Sequence, residues 1–194
     1  MIDIDKIKKY LKEALSEKRY IHSLGVAEEA VSLARHYGAD EDKAYIAGLC
    51  HDVAKEIPND VAKYMLKEKY KANLSEIEEV THKLLHGPLG AYMTQSEFEI
   101  TDPEIIDAIK YHTTAKADMS MLCKIIYMAD YTEKNRTYDG VDELRELSYK
   151  DIDDAIIFGI DFTIGELIGK GAAFHPDTIE ARNYILIKRL AGKE

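Results

Sequence analysis

Apolar residues recur every three to four positions along almost the whole chain, which is the spacing of one face of an α-helix. Ile4, Ile7, Leu11 and Leu15 mark a first helix. Ile21, Leu24, Ala27, Val31 and Ala34 mark a second over about 17–37, with Gly38 placed to close it as a C-terminal cap. Asp40 suits the N-cap of a third helix, whose apolar run Ala44 to Leu49 leads into Cys50-His51-Asp52, and Pro58 forces a break beyond it. A fourth helix is predicted around 61–70, then a polar, weakly periodic stretch to about Glu79. The next helix starts near Gly87-Pro88, with His86 just before it or in its first turn. Asp102-Pro103 opens a helix that ends at Tyr111-His112, and the strongly apolar run 121–131 reads as a buried helix carrying Asp130. Further helices are expected over 141–149, 152–168 and 178–190, the last capped by Asp177. No segment alternates as a strand, so the expected fold is a compact all-α bundle of eight to ten helices. Nothing along 1–194 reads as a linker, which argues for a single domain with a helical core over about 17–135 and the helices of 141–190 packed on it.

Composition narrows the function. With 36 acidic against 26 basic residues the formal charge is -10, which opposes binding to a nucleic-acid polymer and favours a small substrate. If that substrate is anionic, metal ions or a few basic side chains must supply positive charge at the site. No apolar stretch reaches the ~20 residues of a membrane span, and MIDIDKIKKYLKEAL lacks the pattern of a secretory signal, so no membrane association and a cytoplasmic location are expected. A homodimer stays open, because an apolar stripe assigned to the core can equally form a dimer face. Cys50 and Cys123 both sit in apolar helical patterns and read as buried free thiols.

Histidine is the informative residue type, since imidazole with carboxylate is a common donor set at hydrolytic metal centres. His51 and Asp52 are adjacent, and neighbours on a helix point about 100° apart, so they flank a site rather than complete one. Partners are available in His22, His86, His112 and Asp130, each on a different predicted helix, and bundles build core metal sites by one ligand per helix. A lone histidine is more often a hydrogen-bonded, partly buried side chain than a ligand, and His36 and His82 are left in that class. Asp130, amid Ile125, Ile126, Tyr127, Met128 and Ala129, would be costly to bury without a partner. Lys55 is placed to reach a phosphate from the His51 helix, or to lie exposed at its end. Arg136 suits a phosphate through its planar fork or an ion pair with Asp139 or Asp142.

The series His22, His51-Asp52, Asp130 resembles the H…HD…D signature of the HD superfamily of metal-dependent phosphohydrolases. The segments IHSLGVAEEA, LCHDVAKE, LLHGPLGAYM, IKYHTT, KIIYMADYTEKNR, GVDELRELSYKD and HPDTIEARNY extend the similarity to the bacterial YqeK-type branch, from about residue 19 to 187. That resemblance implies an HD-type helical fold and symmetrical hydrolysis of diadenosine tetraphosphate to two ADP. It also implies iron as cofactor, one or two ions, with manganese or another divalent metal as substitute. By matching position it implies His22, His51, Asp52 and Asp130 as metal ligands, with Asp52, His86 and His112 catalytic. His86 and His112 would face substrate phosphates or complete a second metal position. The phosphate and nucleotide contacts implied are His22, Asp52, Lys55, His86, His112, Thr113, Asp130 and Arg136, together with Phe174, His175, Pro176 and Thr178. Two departures stand out: Cys50 precedes His51 where an aliphatic residue is usual, and Lys134-Asn135 replaces a proline-containing turn. Cys50 raises Cys-His nucleophilic chemistry as an alternative, although helix neighbours point apart. Two other readings remain: a phosphohydrolase of another nucleotide, deoxy- or guanosine-based, or a nucleotide-binding regulatory module with low turnover.

Overall fold

Eleven α-helices and no strand occur among the residues described in the computed structural model, 2–192. They are α1 (Ile4–Ala14), α2 (Glu17–Tyr37), α3 (Glu41–Cys50), α4 (Asn59–Tyr64), α5 (Glu76–Val80), α6 (His86–Phe98), α7 (Pro103–Tyr111), α8 (Met121–Thr132), α9 (Val141–Lys150), α10 (Ile152–Gly169) and α11 (Pro176–Ala191). The apolar periodicity locates nearly all of them, because every one except α5 buries residues against a shared core. No described helix is long and apolar enough to cross a membrane.

The core is organised around α8, whose Leu122, Cys123, Ile125, Ile126, Tyr127, Met128 and Ala129 are all buried. It packs against α2, α3, α7, α9 and α10, and α11 reaches the bundle through α10. The most extensive helix contact is between α2 and α3, where a Cβ at Gly48 would lie 2.7 Å from Cα of Ala27. Glycine is therefore required at 48 for α3 to approach α2, and that approach sets the spacing between His22 and His51. A Cβ at Gly87 would similarly lie 2.6 Å from the carbonyl oxygen of Lys110, which seats the start of α6 on the end of α7.

Four expectations need correction. α5 lies in the stretch read as polar coil, and makes eleven helices where eight to ten are expected. Its signal is the Ser75-Glu76-Ile77-Glu78 capping box, in which Ser75 and Glu78 satisfy each other's backbone N–H groups. Asp177 is not the cap of α11. His175 is: its Nδ1 accepts from the N–H of Asp177 at 3.2 Å, and Pro176, with no N–H to satisfy, occupies the first turn. Ile21, expected on the buried face of α2, is 46% exposed, because that face borders a cleft. The predicted fourth helix ends at Tyr64 and continues as a π-turn over Met65–Lys69.

Candidate metal centre

Three helix boundaries and two positions within helices bring His22, His51, Asp52, His86, His112 and Asp130 together in the bundle. His51 is the C-cap of α3 and His112 that of α7, while His86 opens α6. His22 sits in the second turn of α2, and Asp130 in the last turns of α8. His51 and Asp52 are fully buried, and His22, His86 and His112 nearly so. His22, His51 and Asp130 form one group of donors within 4.8 Å of one another, and His51, Asp52 and His112 a second. Asp52 faces both ways. Its Oδ2 lies 3.6 Å from His51 Nε2 and 3.9 Å from His22 Nε2, and its Oδ1 lies 3.3 Å from His86 Nε2 and 3.5 Å from His112 Nε2.

The protonation pattern follows from the partners of Nδ1. His51, His86 and His112 lie 2.7, 2.8 and 2.7 Å from the carbonyl oxygens of Gly48, Lys83 and Ile109. A carbonyl only accepts, so each Nδ1 carries the proton and donates. Burial pushes the His51 ring down to about 3 and the His86 ring down to about 4, so both are neutral at ordinary pH and keep a lone pair on Nε2. The Nε2 atoms crowd oxygens and one another: His51 Nε2 is 3.6 Å from Asp52 Oδ2 and His22 Nε2 is 3.0 Å from Asp130 Oδ1, while His86 Nε2 lies 3.0 Å from His112 Nε2 and accepts from Lys55 Nζ. His22 Nε2, His51 Nε2 and Asp52 Oδ1 are buried without a hydrogen-bond partner. Acceptors packed on acceptors are unfavourable unless a cation lies among them, so the donor set fits a divalent metal ion. Burial works against ionisation of both carboxyls. The neighbouring His51, His112, His86 and Lys55 outweigh it at Asp52, and His22, His51 and Arg136 at Asp130, so both stay well below the usual carboxylate range.

The HD domain profile matches residues 19–135, well over half of the chain, and that span holds all six of these residues. The chain belongs to the HD-domain family. The protein is 41% identical over 177 residues to a symmetrical bis(5′-nucleosyl)-tetraphosphatase of Bacillus subtilis (strain 168), covering 91% of this chain and 94% of the relative. A protein of the same description from Halalkalibacterium halodurans is 38% identical over 179 residues, covering 92% and 95%. A crystal structure from Clostridium acetobutylicum, described as a predicted HD superfamily hydrolase involved in NAD metabolism, matches with a TM-score of 0.94. It is 42% identical, with 97% of this chain and 99% of that one covered.

Around its buried centre this HD-domain protein carries two clefts. One of about 640 Å³ is lined by His22, Lys18, Arg19, Asn135, Arg136 and Tyr138 among others, and one of about 360 Å³ by His86, Arg19, Lys55, Asn59, His82 and Lys83. Arg19 borders both and donates from Nη1 to Asp52 Oδ2 at 3.1 Å. Lys55 is not free at a helix end: its Nζ donates to His86 Nε2 at 2.9 Å and lies 3.4 Å from Asp52 Oδ1. Arg136 pairs with neither Asp139 nor Asp142. It binds the Asp130 carboxylate and donates to the Asp130 carbonyl at 2.7 Å, while Asp142 pairs with Arg145. Thr113 and His175 line a third cleft of about 350 Å³ with Tyr92 and Lys110. Phe174, Pro176 and Thr178 line none of the three; Phe174 is half-buried, Pro176 exposed and Thr178 buried. Two residues of the centre escape the sequence reading. Arg19 looks like an ordinary charged position on an amphipathic helix, and Glu133, 2% exposed and 3.1 Å from His22 Nδ1, looks like a surface carboxylate after a helix end. Only their spacing from His22 and Asp130 hints at either.

Proposed function

We infer that this protein is a metal-dependent hydrolase that cleaves diadenosine tetraphosphate symmetrically to two ADP. One observation carries the reading: ring nitrogens of His22, His51 and His112 and carboxylate oxygens of Asp52 and Asp130 converge in two donor groups that share the buried His51. Its high-coverage relatives described as symmetrical tetraphosphatases support the substrate. His22, His51, Asp52 and Asp130 are the proposed metal ligands. Iron is the metal that the resemblance implies, and imidazole with carboxylate also suits manganese. When bound, the divalent cation makes water nucleophilic at neutral pH and neutralises phosphoryl charge.

The side chains divide the remaining work. Asp52, held well below the usual carboxylate range, is a weak base, so it orients the attacking water rather than storing its proton. Lys55 receives phosphoryl oxygens on one side, and Arg136 and Arg19 on the other, while His86 and His112, whose Nε2 atoms can only accept, are the proposed donors of a second metal position. In an acidic protein these cations gather positive charge where a polyphosphate needs it. The two clefts that meet at Arg19 suit the two halves of a symmetrical dinucleotide, and Thr113 with His175 extends the nucleotide-binding surface. Phe174, Pro176 and Thr178 belong to that proposed surface only as neighbours of His175. The proposed partner is therefore a small cytoplasmic nucleotide.

The test is product identity. With diadenosine tetraphosphate and Fe(II) or Mn(II), the expected product is ADP alone, and ATP with AMP would overturn the reading. Asp52→Asn is expected to lower turnover by about 10² or more, the scale of a lost positioned catalytic group.

A further inference from the structure

Three of the four buried histidines fix their tautomer through the backbone, and the fourth has no such option. His51 and His112 stand at helix C-terminal ends, where carbonyls are free to accept from Nδ1, and His86 meets the carbonyl of Lys83 in the 3₁₀ turn His82–Leu84 that precedes α6. His22 lies inside α2, where the preceding carbonyls serve the helix's own hydrogen-bond ladder. Its Nδ1 meets Glu133 Oε1 at 3.1 Å instead.

Everything around Glu133 holds it there. The residue is buried, and its second oxygen accepts from the backbone N–H of Asn135 at 2.7 Å and from Asn135 Nδ2 at 2.9 Å. Arg145 donates to the carbonyls of Thr132, Glu133 and Arg136, each at 2.9 Å, and so pins the turn that carries it. Gly25, three residues after His22, makes the room, since a Cβ at that position would collide with Glu133 Oε2. A buried carboxylate whose oxygens meet the ring nitrogen of His22 and two donors of Asn135, seated by a glycine and a three-point arginine clamp, is a built partner for one ring nitrogen.

We propose that Glu133 is the positioning residue of the metal centre: it keeps the proton of His22 on Nδ1 and aims the Nε2 lone pair at the cation. A carboxylate behind the ring also makes that lone pair a stronger donor than a carbonyl would. The proposal rests on the metal-centre reading above, and its test separates the two.

The measurement is Mn(II) affinity of the metal-stripped full-length protein, with the His22 tautomer followed by long-range proton–nitrogen NMR. Glu133→Gln offers a single acceptor oxygen to three donors, so its amide turns toward His22 or leaves Asn135 unsatisfied. Mn(II) affinity is expected to fall about 10- to 100-fold, as for other groups that orient a ligand from behind, with loss of the Nδ1–H signature. Gly25→Ala retains the carboxylate but displaces it, and is expected to weaken Mn(II) in the same direction. A lower melting temperature with Mn(II) affinity and tautomer unchanged in both variants would overturn the proposal. Failure of the parent protein to bind Mn(II) would instead overturn the metal reading.

Discussion

Cys50 and Cys123 are both buried, and burial pushes each thiol up to about 12, so neither supplies a thiolate near neutral pH. Treatment of the folded protein with iodoacetamide is therefore expected to leave hydrolysis unchanged; rapid inactivation traced to Cys50 would revive Cys-His chemistry. His22, His51, Asp52, His86, His112 and Asp130 were legible as candidates by residue type, and the order His22, His51-Asp52, Asp130 marks four of them through its resemblance to the family signature. Asp130 also advertised itself as a carboxylate in an apolar helix. Arg19 and Glu133 were not legible. What distinguishes them is a contact across 33 residues of sequence in one case and 111 in the other, and no local pattern encodes that.

Helices carry the site by where they end. His51 and His112 close α3 and α7, so freed backbone carbonyls orient both imidazoles, and the turn before α6 supplies the carbonyl that orients His86. Proline, glycine and N-cap signals locate other helix boundaries to within a residue or two, as at Asp40, Asp102-Pro103 and Gly38. The same rules mislead at α11, where His175 takes the role expected of Asp177. Placement between helices depends on close contacts that periodicity does not show. Gly48→Ala would put a methyl against the α2 backbone, forcing α2 and α3 apart and His22 away from His51. The expected penalty is about 1–3 kcal/mol, a fall in melting temperature on the order of 5 °C, with activity lost faster than stability. Calorimetry with parallel rate measurements checks it, and an unchanged melting point would mean that the helices do not depend on this contact.

For the whole molecule, His51, His86, Asp52 and Asp130 act on stability in one direction. His51 and His86 are pushed down to about 3 and about 4, whereas the unfolded chain takes up these protons near pH 6.5. Asp52 and Asp130 are also held below their unfolded range, so they too resist protonation only when folded. The unfolded state therefore binds protons first. Stability is complete above about pH 6.5 and declines as pH falls toward about 3. Thermal melting of the metal-stripped protein from pH 7.5 downward is expected to show a falling midpoint; a midpoint that rises on acidification would mean the centre is not buried as described. By itself the sequence determined the all-α class, most helix boundaries, the acidic background that demands local cations, and the residues able to bind a metal. These follow from periodicity, capping chemistry and side-chain type, all of which act over a few residues. Tertiary structure alone decided that Asp52 looks toward two groups of histidines, that Lys55 and Arg136 turn inward, and that Glu133 stands behind His22. Those outcomes depend on how closely helices far apart in sequence approach one another, and glycines at 25, 48 and 87 set that approach through packing that no local window contains.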